Sequence, residues 1–265
     1  MSGLRALVDE ARRVGFTVRD EASPERAGPV AVSGMLAEQL AKELSAGAEP
    51  GRVVVAAAEA AGRAEILVRI VAGDPTEDDE ELVRLADAHG VPVVMVQLWP
   101  QADWTRPFVL TPFVVECRAG EGFPLGEIAD RIVEATERDA ALAAGIPVLA
   151  EAARRFAIRS TVVRAGLIGL LGARAGDARP RLSLEQIRLL SRIRNVSGAT
   201  GDEDLRLRAA GAVAVVASGF AFRRSARALR TFLPAPLANA AVAAAGTWAL
   251  AKAAALADAK LGERE

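Results

Sequence analysis

Short apolar runs spaced through the first half of the chain, with one fully punctuated helix among them, limit the folds open to it more than any other feature. The runs are Val53–Ala58, Ala64–Val71, Val91–Leu98 and Val109–Cys117. Each is rich in β-branched residues and bounded by turn formers, and none shows strict polar alternation, which suits strands buried on both faces. Between the second and third lies GDPTEDDEELVRLADAHG, residues 73–90. Thr76 and Asp79 have capping-box spacing, the acids at 77–81 complement a helix N-terminus, Leu82, Leu85 and Ala86 form an apolar stripe, and His89-Gly90 ends it. Val30–Val32 and Met35–Leu44 supply an opening strand and helix, and Ile128, Ile132 and Val133 give Leu125–Arg138 helical spacing. Strand and helix in alternation imply a mainly parallel sheet with helices on its faces.

From Pro147 the pattern turns helical, over Val148–Ile158, Ser160–Gly172, Ser183–Val196, Glu203–Phe222, Arg223–Phe232 and Pro236–Leu261. Pro180, Pro234 and the loop Gly198–Gly201 separate elements, and Ser183 with Gln186 reads as a capping box. The expected organisation is a helical N-terminal segment, 1–29, an α/β domain with a mainly parallel sheet and flanking helices, 30–144, and an Ala/Arg-rich all-α domain, 145–265. Charge divides at the same place. Residues 1–140 hold 14 basic against 25 acidic side chains, a balance of −11, and the rest hold 19 against 9, a balance of +10.

At 265 residues, 51% hydrophobic and 25% charged, the chain can bury a core, which excludes wholesale disorder. A single Cys excludes an internal disulfide, and Cys117 with His89 as the only soft ligands excludes a Cys/His zinc site. Residues 1–20 carry charges throughout, without a charged-then-apolar leader, so a reduced bacterial cytoplasm is the expected compartment. No cofactor, metal or catalytic residue is expected.

Trp99, Trp104 and Phe108 fall within ten residues of one another, on a loop at the carboxyl end of a strand. Ligands of open α/β sheets bind along that edge, and Trp is enriched among interface anchors, so the three read as a partner-docking surface or as a lid packed over the sheet. Asp74, Glu77, Asp78 and Asp79 offer oxygen ligands, but capping and dipole compensation account for them. His89 suits a helix end, Cys117 a buried apolar site with His89 as a conceivable spatial base, and Gly34 the approach of an anion to a helix start. In the second half, the uncharged stretches 209–222 and 233–251 flank Arg223, Arg224, Arg227 and Arg230. These arginines suit anionic lipid headgroups at a membrane surface, or the solvated face of a bundle in which Ala permits close helix approach. The cations are dispersed over several helices, which disfavours nucleic acid, while the opposed charges of the two halves suit docking of the acidic domain on the basic one or on the positive half of another copy, giving a homo-oligomer.

The strand–GDPTEDDEELVRLADAHG–VPVVMVQL succession, followed by a strand and by Gly120-Glu121-Gly122, resembles the later part of an Era-type small GTPase domain. The phosphate loop of that family needs G-x-x-x-x-G-K-[ST]. Here Val30–Met35 has neither the Lys nor a second Gly, and Gln97–Pro100 stands where the base-reading Asn-Lys-x-Asp would be. The resemblance therefore implies a degenerate, nucleotide-incompetent domain. LEQIRLLSRI (184–193), a Gly-bearing loop, an apolar helix, a Pro turn and AGTWAL (245–250) resemble the helical domain of unknown function of YcjF-like bacterial proteins, which often accompanies such GTPase domains and is often membrane-associated. Together these readings imply a non-catalytic interaction or scaffold protein with an unidentified protein partner, peripheral to the inner face of the cell membrane or assembled as a homo-oligomer. An enzyme or switch binding a phosphorylated ligand at the sheet edge is one alternative, and a structural subunit of a homo-oligomeric assembly is the other.

Overall fold

A computed structural model describes residues 27–56, 62–100, 112–175, 178–196 and 224–262, with Gly211 and Val215. At 172–175, 178–180 and 257–262 it describes the helical backbone alone. The chain divides into two compact units within one helix, between Phe156 and Ala157.

The first unit is built on five strands, β1 (Val30–Gly34), β2 (Val53–Val55), β3 (Ile66–Ala72), β4 (Val93–Leu98) and β5 (Val114–Cys117). They lie in the order β2-β1-β3-β4-β5. Every pair is parallel, with Val30 beside Val53 and Ile66, Leu67 beside Val93, and Met95 beside Val114. Helices α1 (Ala37–Leu44), α2 (Glu77–Ala88), α3 (Leu125–Ala135) and α4 (Asp139–Gly145) follow β1, β3 and β5, and a 3-10 turn, Pro147–Leu149, closes the unit's run of short elements. The expected mainly parallel α/β sheet with flanking helices is thus the observed architecture.

Side-chain alternation explains the core. Ala31, Leu67, Val71, Val93 and Met95 point to one face and pack with Leu82, Val83 and Ala86 of α2. Right-handed crossovers put α1 on the opposite face. There the intervening Val32, Ile66, Val68, Ile70, Val94 and Val96 are fully buried, as are Leu40 and Leu44 of α1 and Ile128 and Ile132 of α3. The capping box at α2 is formed as the spacing implies: Thr76 Oγ1 accepts from the Asp79 N–H at 3.3 Å and the Thr76 N–H donates to Asp79 Oδ2 at 2.8 Å.

The second unit is helical. Among the described residues its long elements are α5 (Ala150–Ala175), which begins in the first unit, α6 (Ala178–Val196) and α7 (Ala235–Gly262), and residues 224–229 are helical before α7. Two expectations are corrected here. The helices expected at Val148–Ile158 and Ser160–Gly172 are one, because Ser160 does not cap a new helix; its hydroxyl donates to the Ala157 carbonyl at 3.3 Å within the continuing ladder. Nor do Ser183 and Gln186 open α6, which starts at Ala178 with Pro180 in its first turn. Gln186 is instead buried, and its Nε2 donates to Thr247 Oγ1 of α7 at 2.9 Å. Of the uncharged stretch 233–251, Ala238, Val242, Ala243, Thr247 and Ala251 are buried while Leu237 and Trp248 are exposed. Among the described residues no helix is long and apolar enough to cross a membrane. The stretch 209–222, apart from Gly211 and Val215, and residues 1–26 lie outside the described residues.

Candidate functional site

The strand order reverses direction between β1 and β3: the chain leaves β1 through α1 toward β2 and leaves β3 through α2 toward β4. In doubly wound sheets the crevice for a ligand opens at such a switch point, along the carboxyl ends of the strands.

β1 ends at Gly34, with φ of 98°. A Cβ there would overlap the carbonyl oxygen of Ile70 on β3, so only glycine lets the two strands run this close. Two residues, Met35 and Leu36, then connect to α1 at Ala37. Both are large, apolar and about half exposed, at 49% and 46%. Leu36 takes the left-handed conformation, φ 58°, and its carbonyl accepts the Leu40 N–H at 3.1 Å, which starts the helix without a side-chain cap. A phosphate cradle needs a longer Gly-rich loop of converging amides and a cation. This connection has neither, and the first turn it leads into carries Glu38, whose charge opposes an anion.

Trp99 follows β4 at the same edge. Its N–H donates to the Cys117 carbonyl at 2.8 Å, extending the β4–β5 pairing by one bond, and its φ is 53°. That conformation leaves the side chain 49% exposed. Among the described residues Leu36 and Trp99 are the two non-glycine positions with positive φ. Both are exposed hydrophobes at strand ends, where strained backbone is characteristic of functional surfaces. Trp104 and Phe108, expected beside Trp99, lie outside the described residues. Met35 and Leu36 were not singled out by the sequence, since their exposure follows from the tightness of the β1–α1 connection.

Between these shoulders β3 ends at Ala72, which Gly73 follows. Beneath the edge, on the α2 face, Arg69 of β3 holds Asp79 through its Nε at 2.7 Å and its Nη2 at 2.6 Å. Burial would raise the Asp79 pKa, but the Thr76 N–H, the Thr76 hydroxyl and the Arg69 guanidinium together hold it below its usual value. Asp79 is thereby committed to structure, and among the described residues no group of three His, Cys, Asp or Glu converges on a common point for a metal. Ser33 Oγ and both amide atoms of Gln97 are buried beneath the same edge without hydrogen-bond partners.

Cys117 and His89 are brought to opposite edges. Burial, then the charges of Glu121 and Glu43, raise the Cys117 thiol pKa, and the thiol faces the Gly122 carbonyl at 3.6 Å. His89 precedes β4 at the amino edge, a strand length away, roughly 20 Å, so it is not the base of this thiol. Its Nδ1 lies 2.8 Å from the Leu85 carbonyl, which makes Nδ1–H the donor. A cleft of about 880 Å³ opens at that amino edge beside His89, Gly62 and Glu65. The Glu65 carboxylate accepts from the Gly28 N–H and the Thr136 hydroxyl, each at 3.1 Å, and meets Arg138 at 3.5 Å, which ties β1, β3 and the end of α3 together.

In the helical unit, Arg224 and Arg227 are exposed on the helical residues 224–229, and Arg230 is exposed at the turn after them. Arg230 Nη2 donates to Asn239 Oδ1 at 3.0 Å. Phe232, at the turn before Pro234, is 85% exposed, and Leu233 and Leu237 beside it are exposed as well. Arg223 lies outside the described residues. Comparison with models of protein families, with curated proteins and with solved structures finds no match to this chain.

Proposed function

We propose that the chain is a non-catalytic interaction protein whose sheet unit, GTPase-like in the order of its elements but without nucleotide chemistry, docks a protein partner along the carboxyl ends of its strands. The single observation carrying this reading is the β1–α1 connection: two exposed apolar residues, Met35 and Leu36, occupy the place where a phosphate-binding domain would present amides and a lysine. Trp99 adds an aromatic anchor of the type enriched at interfaces. The exposed Arg224, Arg227 and Arg230 with Phe232 give the helical unit a second contact surface, suited to an anionic face of a membrane or of another subunit. The chain then acts in the cytoplasm, where it couples one contact to the other.

Thermal unfolding with Mg²⁺ and GTP, GDP or ATP tests this reading. A ligand at a thousandfold excess over its Kd stabilises the folded chain by about 4 kcal/mol. The reading predicts an unchanged Tm with each nucleotide. A rise of several degrees would point instead to an enzyme or switch that binds a phosphorylated ligand at the sheet edge.

A further inference from the structure

The carboxyl edge and the basic segment of the helical unit have complementary chemistry. On the edge, Met35, Leu36 and Trp99 are rimmed by exposed Glu38, Asp74, Glu77, Asp78 and Glu121, and among the described residues Arg118 is the cation there. Met35 and Leu36 follow β1, Trp99 follows β4, and β3 lies between them, ending at Ala72 with Gly73 after it, both small residues. The two apolar shoulders therefore stand two strand spacings apart, roughly 10 Å, which is about the diameter of an α-helix. In the segment 224–233, residues 224–229 are helical and a turn follows, with Arg224, Arg227 and Arg230 exposed and with Phe232 and Leu233 at the turn. No acidic residue occurs anywhere from Leu205 to Ala257.

We infer that the occupant of the acidic, apolar carboxyl edge is the segment 224–233 of a second copy of this chain, seated with Phe232 between Leu36 and Trp99 and with the arginines on the acidic rim. This rests on the reading of the edge as a docking surface. Charge favours a second copy over a lipid surface: the acidic half would be repelled by anionic headgroups, whereas the −11 and +10 halves of two chains neutralise each other. The contact is head-to-tail, so it propagates into a ring or an open array unless the rotation closes.

Sedimentation of the full chain, from low micromolar to near-millimolar concentration, tests the inference. Self-association is expected, weakened about tenfold or more at high salt. An edge variant, Leu36→Asp with Trp99→Asp, and a segment variant, Arg224→Glu with Arg227→Glu and Phe232→Ser, should each be monomeric. Mixed in equal amounts they should form a heterodimer, since one intact edge then meets one intact segment. Circular dichroism checks that each variant folds, and the segment variant, altered only on exposed positions, decides the matter if the edge variant does not. A wild-type chain that stays monomeric, association indifferent to salt and to the segment variant, or a mixture that fails to pair would each overturn the inference. Flotation with anionic vesicles, lost in the segment variant and without self-association, would assign the segment to a membrane and overturn it too. If the monomeric chain still binds an unrelated basic amphipathic peptide through Trp99, the docking edge stands and only its occupant is wrong. Binding of GTP or GDP would remove the reading of the edge itself.

Discussion

A methyl group at Gly34 would stand on the carbonyl oxygen of Ile70, at a backbone conformation that L side chains rarely adopt. Gly34→Ala is therefore expected to destabilise the sheet unit by roughly 2 kcal/mol or more, read as a lower midpoint in urea. Gln97 carries the opposite prediction. Its amide is fully buried with no partner for either atom, a desolvation cost that a leucine would not incur. Gln97→Leu should raise stability by about 1 kcal/mol, and a loss instead would show that the amide is satisfied in solution. Asp79 sets an acid limit. Because its folded pKa is depressed, its contribution is complete above the ordinary value of 3.8 and is lost as the pH falls below that through the folded value. Asp79→Asn should cost about 2 kcal/mol near neutrality by leaving Arg69 short of its partner, and should flatten the fall in Tm on acidification. An unchanged acid limb would contradict the role given to the Arg69–Asp79 pair.

At the scale of elements, α5 and α7 approach through small residues. A Cβ on Gly169 would come within 2.7 Å of the Asn239 carbonyl oxygen and 3.0 Å of the Ala240 Cα, whereas one on Gly166 would meet nothing nearer than 3.7 Å, the Ala244 Cβ. Helix propensity alone favours Ala over Gly by about 1 kcal/mol. Gly166→Ala should therefore raise the Tm of the helical unit, while Gly169→Ala should lower it despite the propensity gain. Two substitutions of the same kind with the same sign would contradict this packing. These elements also mark what the sequence makes legible. The strands and α2 could be read directly, because β-branched runs and a capping box are local signals. The continuity of α5 could not, since a serine such as Ser160 serves equally as a cap or as a mid-helix donor to the preceding turn. Gln186 at capping-box spacing was a false start for the same reason: its partner, Thr247, is distant in sequence. At the site, Trp99 stood out as an aromatic after a strand. Met35 and Leu36 did not, because what exposes them is the close β1–β3 approach at Gly34.

At the scale of the whole molecule, a parallel sheet of doubly wound order retains the edge at which such folds bind ligands, yet presents hydrophobes and acids along it. Composition already divides the chain into an acidic and a basic part, and the near-zero total of −1 conceals it. On the proposed reading, an edge of this character disfavours phosphate and docks a basic, apolar partner. Isothermal titration calorimetry of the full chain with GTP and GDP in Mg²⁺ tests that claim most directly. The account predicts no heat of binding beyond dilution, and a saturating isotherm with a micromolar Kd for either nucleotide would contradict it.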